Sequence, residues 1–200
     1  MKKILSVLAL TAIFSLVFVN NNYAQDQWTQ GRGAGIYSIG IGGTDAIGVG
    51  GVYSTNVYGY RVNPVSPAGM SINASGEYKV YKFIGLGWQT GIDLFFTNYG
   101  IYGGNYVTVG IPFIAKCNVH ILDAVGGVSI ADKLDVYAGL NFGGGPAITP
   151  GNNTQGTNTT VGGFIQVGPT VGVRYWIIPK VAVFGEFGWG ATFANAGVTF

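Results

Sequence analysis

The chain has 200 residues, 48% of them hydrophobic and 14% aromatic, with only 9% charged, 35 glycines and a formal net charge of +2. So little charge on so apolar a chain argues against an ordinary soluble domain and against a basic groove for nucleic acid. The lone cysteine, Cys117, excludes an intramolecular disulfide framework and the usual cysteine-rich zinc sites.

Residues 1–24 read as a cleaved signal peptide. Lys2 and Lys3 precede an apolar run over 4–19, and a polar stretch then ends in Tyr23-Ala24-Gln25. That apolar core is short for a spanning helix and has no charged stop-transfer flank, which disfavours an uncleaved anchor. A lipoprotein would need a cysteine at the cleavage point, and there is none. Loss of Lys2 and Lys3 leaves the mature chain formally neutral, so its basic pI belongs to the signal. Residues 25–200 form one domain with no compositional break.

Along the mature chain a two-residue period recurs, the signature of strands with one apolar and one polar face. A first strand is expected over about 33–43. Over 70–81, Met70, Ile72, Ala74, Tyr78 and Val80 alternate with Ser71, Asn73, Ser75, Glu77 and Lys79. A short Lys82-Phe83 link leads into 85–97, where Leu86, Trp88, Ile92, Leu94 and Phe96 oppose Gly87, Gln89, Gly91 and Asp93. Residues 105–120 put Val107, Val109, Ile111, Phe113, Ala115, Cys117 and Val119 against Thr108, Gly110, Lys116, Asn118 and His120. The pattern continues over 134–143, with Asp135, Tyr137, Gly139 and Asn141 on the polar side, and over 161–176, with Gln166, Thr170 and Arg174 there. It returns over 181–189, with Glu186 on the polar side, and closes over 194–200, making eight strands.

The longer connections, 44–69, 98–104 and 144–160, together with a tight turn near Gly190, fall at one end of these strands. The short links and both termini fall at the other, the usual asymmetry of outer-membrane barrels. The polar, low-complexity stretch 149–160 is expected to be a mobile loop. Pro112 and Pro169 lie inside proposed strands, where a closed barrel offers no free edge for a missing N–H, so bulges or local breaks are expected at both. Aromatic residues suggest two interfacial girdles: Tyr37, Phe96, Tyr99, Tyr106, Phe142, Phe187 and Trp189 at the outer strand ends, and Phe83, Tyr175, Trp176 and Phe200 at the inner ends.

After the signal no apolar run is long enough for a spanning helix, and only helices and closed barrels satisfy every backbone hydrogen bond within a bilayer. The expected fold is therefore all-β: a transmembrane antiparallel up-and-down β-barrel of eight strands, in the outer membrane of a Gram-negative bacterium. A soluble lipocalin-like barrel would need the opposite phase, with charges outside and Trp88, Phe96, Phe113 and Phe187 inside.

Four segments carry a resemblance: Ala74-Ser75-Gly76-Glu77-Tyr78, Gly110-Ile111-Pro112-Phe113-Ile114-Ala115-Lys116, Leu134-Asp135-Val136-Tyr137-Ala138-Gly139-Leu140, and Ala194-Asn195-Ala196-Gly197-Val198-Thr199-Phe200. Through them nearly the whole mature chain resembles the small outer-membrane β-barrels of the outer membrane protein A and X type, especially Bacteroidota-type versions. The resemblance implies contact with outer-membrane lipid and lipopolysaccharide. It also implies that Phe200 acts as the C-terminal signal read by the barrel-assembly machinery.

Glu77, Lys79, Asp93, Lys116, Asp135, Arg174 and Glu186 share the inward phase and hold most of the mature chain's charge. Isolated charges there would be costly, so acids and bases are expected to pair in a lumen that side chains can fill. A narrow pore for ions or small solutes, or a lateral route for apolar molecules, is the rival reading. It draws on the small inward residues Gly85, Gly87, Gly91, Gly110, Gly139, Gly143 and Gly172. His120, the sole histidine, is read as a solvated interfacial residue near Asp123; no nucleophile and base assemble around it, and a lone imidazole cannot hold a metal. No catalytic residue, cofactor or metal site is expected, and Cys117 is expected to face lipid as a small hydrophobe. The sequence names no ligand for the outer loops.

Overall fold

The computed structural model describes residues 35–44, 52–55, 61–62, 68–98, 105–126, 129–150, 159–188 and 192–200. The expected signal peptide, most of loop 149–160, Tyr99 and Trp189 lie outside them. Eleven strands are present: β1 (Gly35–Thr44), β2 (Val52–Thr55), β3 (Arg61–Val62), β4 (Ala68–Tyr81), β5 (Ile84–Asn98), β6 (Asn105–Gly110), β7 (Phe113–His120), β8 (Leu134–Thr149), β9 (Thr160–Ile178), β10 (Val181–Gly188) and β11 (Ala194–Thr199). A single-turn helix α1 (Ile121–Val125) and a 3₁₀ turn (Ser129–Asp132) link β7 to β8.

β6 and β7 are two halves of one spanning strand, and with them the antiparallel order β1, β4, β5, β6/β7, β8, β9, β10, β11 returns to β1. This is a closed, transmembrane, up-and-down barrel of eight strands, so no backbone edge runs along its wall. Closure is completed where the termini meet, with Tyr37 and Phe200 exchanging backbone hydrogen bonds of 2.9 and 2.8 Å. The alternation of the sequence becomes two surfaces. Ile39, Ile41, Met70, Ile72, Leu86, Phe113, Leu140, Phe142, Val171 and Phe187 cover the outside, while the buried polar and charged side chains turn into the lumen.

The two prolines behave differently. At Ile111-Pro112 the strand is interrupted, yet its register is not lost: Gly110 lies opposite Asp93 and Ala147, and Phe113 lies opposite Thr90 and Gly144. Each partner has advanced by the same three positions, so the break costs ladder hydrogen bonds but turns no side chain to the other face. Pro169 needs no break, contrary to expectation. β9 runs through it without a shift against β8, and its pairing with β10 has already ended at Gly188 opposite Thr170. A strand that outlasts its neighbour provides the local edge that proline tolerates.

Several boundaries also differ from the sequence reading. The first part of the connection predicted over 144–160 is strand, since β8 and β9 stay paired to Thr149 and Thr160. Glycine-rich composition hid this extension, because cross-strand pairing and not side-chain pattern sustains it. Within the predicted 44–69 loop, β2 pairs with the outer part of β9 and with β3. Tyr37 belongs to the inner end, beside Phe200, and not to the outer girdle. Phe142 sits mid-strand opposite Ala115 and Val167. Trp176 faces inward with Arg174 and packs with Ile36 and Ala182 as an apolar cluster at the inner end of the lumen.

Candidate functional site in the barrel lumen

Because inward side chains repeat every second residue on all eight strands, groups far apart in sequence converge in the lumen. Two ionic clusters result. In the first, Lys116 on β7 donates to both carboxylate oxygens of Glu186 on β10, at 2.8 Å each, and to Gln89 Oε1 at 3.3 Å. In the second, His120 Nδ1 lies 2.7 Å from Asp135 and His120 Nε2 lies 2.9 Å from Glu77. Arg174 completes this second cluster, donating to Asp135 at 2.5 Å and to Glu77 at 3.4 Å.

Tyr137 joins the two clusters. Its hydroxyl donates to Glu186 at 3.0 Å, and the Arg174 guanidinium sits 4.9 Å from the centre of its ring. Arginine over an aromatic face adds a cation–π attraction to the ion pairs, and the planar fork lets one residue serve both carboxylates. Tyr137, His120 and Gln89 were not among the residues singled out for this cluster. For His120 the signal was present in its shared phase with Lys116 and Asn118. The expectation of a solvated, interfacial histidine is corrected, since the imidazole is fully buried between two carboxylates. Asp123 is not its partner; from α1 it pairs with Lys79 at 2.5 Å.

Of the seven predicted luminal charges, Glu77, Asp135 and Arg174 meet in one cluster, Lys116 and Glu186 in the other, and Lys79 pairs separately nearer the inner end. Asp93 stands apart. It is 0% exposed, and within the described residues no cation pairs with its carboxylate, which faces the Ser71 hydroxyl directly opposite on β4.

The inward glycines do not leave simple voids. A Cβ at Gly85 would collide with the Glu77 carboxylate, one at Gly139 with Asn118, one at Gly110 with the rings of Phe95 and Phe164, and one at Gly172 with the ring of Tyr137. Phe95 and Phe164 meet edge to face, with ring centres 5.8 Å apart. The space remaining among Ser38, Glu77, Lys116, Tyr137, Arg174 and Glu186 measures about 10 Å³, room for roughly one water. Cys117 lies on the outer surface, and no group of three or more metal-ligating residues occurs among the described residues.

No protein-family profile matches the chain, and no curated protein is similar to it. Among solved structures it is similar to Ail, the attachment invasion locus protein of Yersinia pestis, crystallised with the heparin analogue sucrose octasulfate. The identity is 14% and the TM-score 0.42, over 82% of this chain and 94% of that one. It is also similar to the outer membrane protein OprG from Pseudomonas aeruginosa, with 11% identity and a TM-score of 0.47, over 84% of this chain and 91% of that one. The fold assignment stands on the closed hydrogen-bonded ring itself.

Proposed function

We propose that this protein is a non-enzymatic barrel of a Gram-negative outer membrane whose lumen is filled and charge-paired, and that it serves envelope structure or surface interaction through its outer loops. The supporting observation is the set of cross-links Lys116–Glu186–Tyr137 and Glu77–His120–Asp135–Arg174, which tie together β4, β7, β8, β9 and β10. Each charge in them meets an opposite charge or a hydrogen-bonding group, which is what makes ionic groups tolerable away from bulk water. The apolar outer surface suits a bilayer, and the finer kinship, with the outer membrane protein A and X type of Bacteroidota-like bacteria, belongs to this same reading. So do contact with outer-membrane lipid and lipopolysaccharide, and Phe200 as the signal read by the barrel-assembly machinery.

A second reading, a narrow channel for ions or small solutes, is favoured by one feature. Beyond the ionic clusters, Ser71, Asp93 and Asn141 are buried polar residues on the inward phase, and among the described residues Asp93 has no cation beside it and the Asn141 amide has no hydrogen-bond partner. Polar atoms left without protein partners suit water better than a packed core.

Planar-bilayer recording of the refolded mature protein tests the first reading against the second. Silence in the wild type, in Lys116→Ala and in Glu186→Ala is the expected result. Steady current that changes with those substitutions would overturn the filled-lumen reading and make the clusters part of a conduction path.

A further inference from the structure

Charge is unevenly divided between the two ends of the barrel. The outer connections, 45–67, 99–104, 150–159 and 189–193, carry one acid and one base between them, Asp45 and Arg61. The inner connections are richer. Lys82 lies in the turn between β4 and β5, Lys133 follows the 3₁₀ turn before β8, and Lys180 lies in the turn between β9 and β10, all three on the surface. Every inner link of the ring therefore bears a lysine, and at the fourth junction, where the termini meet, Arg32 lies three residues before β1 in sequence.

The acids at this end offset only part of that charge. Asp123 is held by Lys79, which leaves Asp132 as the other acid of the inner links, while Asp26 offsets Arg32 in the sequence before β1. Each lysine also has exposed apolar neighbours. Lys82 lies between Tyr81 and Phe83, whose rings meet edge to face at 5.1 Å; Ile130 precedes Lys133; and Ile177 and Ile178 precede Lys180. Apolar side chains level with the acyl boundary and surface ammonium groups just beyond it match the geometry of a lipid headgroup layer, where a lysine stem lies along apolar surface and its tip reaches phosphate.

We infer that the inner rim, through Lys82, Lys133 and Lys180, is a binding surface for the anionic phospholipid headgroups of the periplasmic leaflet. The outer rim has no comparable set of cations. A lysine near an anionic membrane surface contributes attraction that salt screens within about one Debye length, so the preference is electrostatic and salt-sensitive. The inference rests on the outer-membrane barrel reading, which sets which leaflet each rim meets.

The test is electron spin resonance of the refolded mature protein in phosphatidylcholine bilayers, comparing spin-labelled phosphatidylglycerol with spin-labelled phosphatidylcholine at the barrel surface. The wild type should prefer phosphatidylglycerol several-fold at low salt and lose the preference at high salt. The combined variant Lys82→Gln, Lys133→Gln, Lys180→Gln should show none, while Arg61→Gln should behave as the wild type does. Boiled and unboiled aliquots run on a detergent gel report whether each sample is a folded barrel. A gel shift with no lipid preference in the wild type, or with preference retained in the triple variant, overturns this inference alone. Identical mobility in both lanes overturns the barrel reading and this inference with it.

Discussion

Glu77 and Arg174 stand on β4 and β9, four strands apart in either direction around an eight-stranded ring, and yet their side chains meet across the lumen at 3.4 Å. A contact between opposite walls resists flattening of the barrel, and Arg174 also holds Asp135 on the neighbouring strand β8.

Replacing Arg174 by Met should lower stability by about 3–5 kcal/mol, because it takes the guanidinium from two buried carboxylates and leaves them only His120 between them. Urea titration of the refolded barrel, followed by the boiled-gel shift, reads the loss. Unchanged resistance would mean that water already solvates Glu77 and Asp135.

Tyr137→Phe removes one hydroxyl and keeps the ring beneath Arg174. The lost hydrogen bond goes to a carboxylate, Glu186, so a cost of roughly 1.5–3 kcal/mol is expected. Combined with Glu186→Gln in a double-mutant cycle, the two effects should not add, since both act on the same contact.

Two glycines make a contrasting pair. Gly172→Ala would drive a methyl group into the Tyr137 ring, and overpacking of that kind costs about 1–3 kcal/mol. Gly185→Ala meets nothing within 4 Å and should leave the urea midpoint unchanged or slightly higher. Equal effects at the two sites would show that the ring of Tyr137 can yield.

Leu140 is 65% exposed on the outer surface near the middle of β8. Leu140→Lys should cost about 2–4 kcal/mol in a bilayer, the penalty for a cation near the hydrocarbon midplane. Refolding yield and urea midpoint in vesicles measure it, and a negligible change would place Leu140 outside the hydrocarbon layer.

The strands and their faces were legible because the strand period is two: a residue such as Glu186 or Lys116 is assigned to a face by its neighbours alone. Pro112 left this assignment intact because the chain crosses it without a change of phase. The same rule placed His120 inward, but proximity to Asp123 in sequence suggested the wrong surroundings. Trp176 was misplaced for a related reason, since aromatic character near a strand end suggested the girdle while its parity with Arg174 pointed inward. Pro169 could not be judged from sequence, because what matters there is where a different strand ends.

From the sequence by itself followed the all-β class, the number of strands, and which side chains face the lumen, since these depend on local alternation and on the need to satisfy backbone hydrogen bonds in an apolar medium. Only the tertiary structure decided which charges meet. Glu77 and Arg174 lie 97 positions apart, and their contact depends on how every strand is staggered against the next before the ring closes. That stagger is the sum of eight registers, and a shift of two residues in any one of them would leave every face unchanged while giving the luminal charges that meet across it different partners.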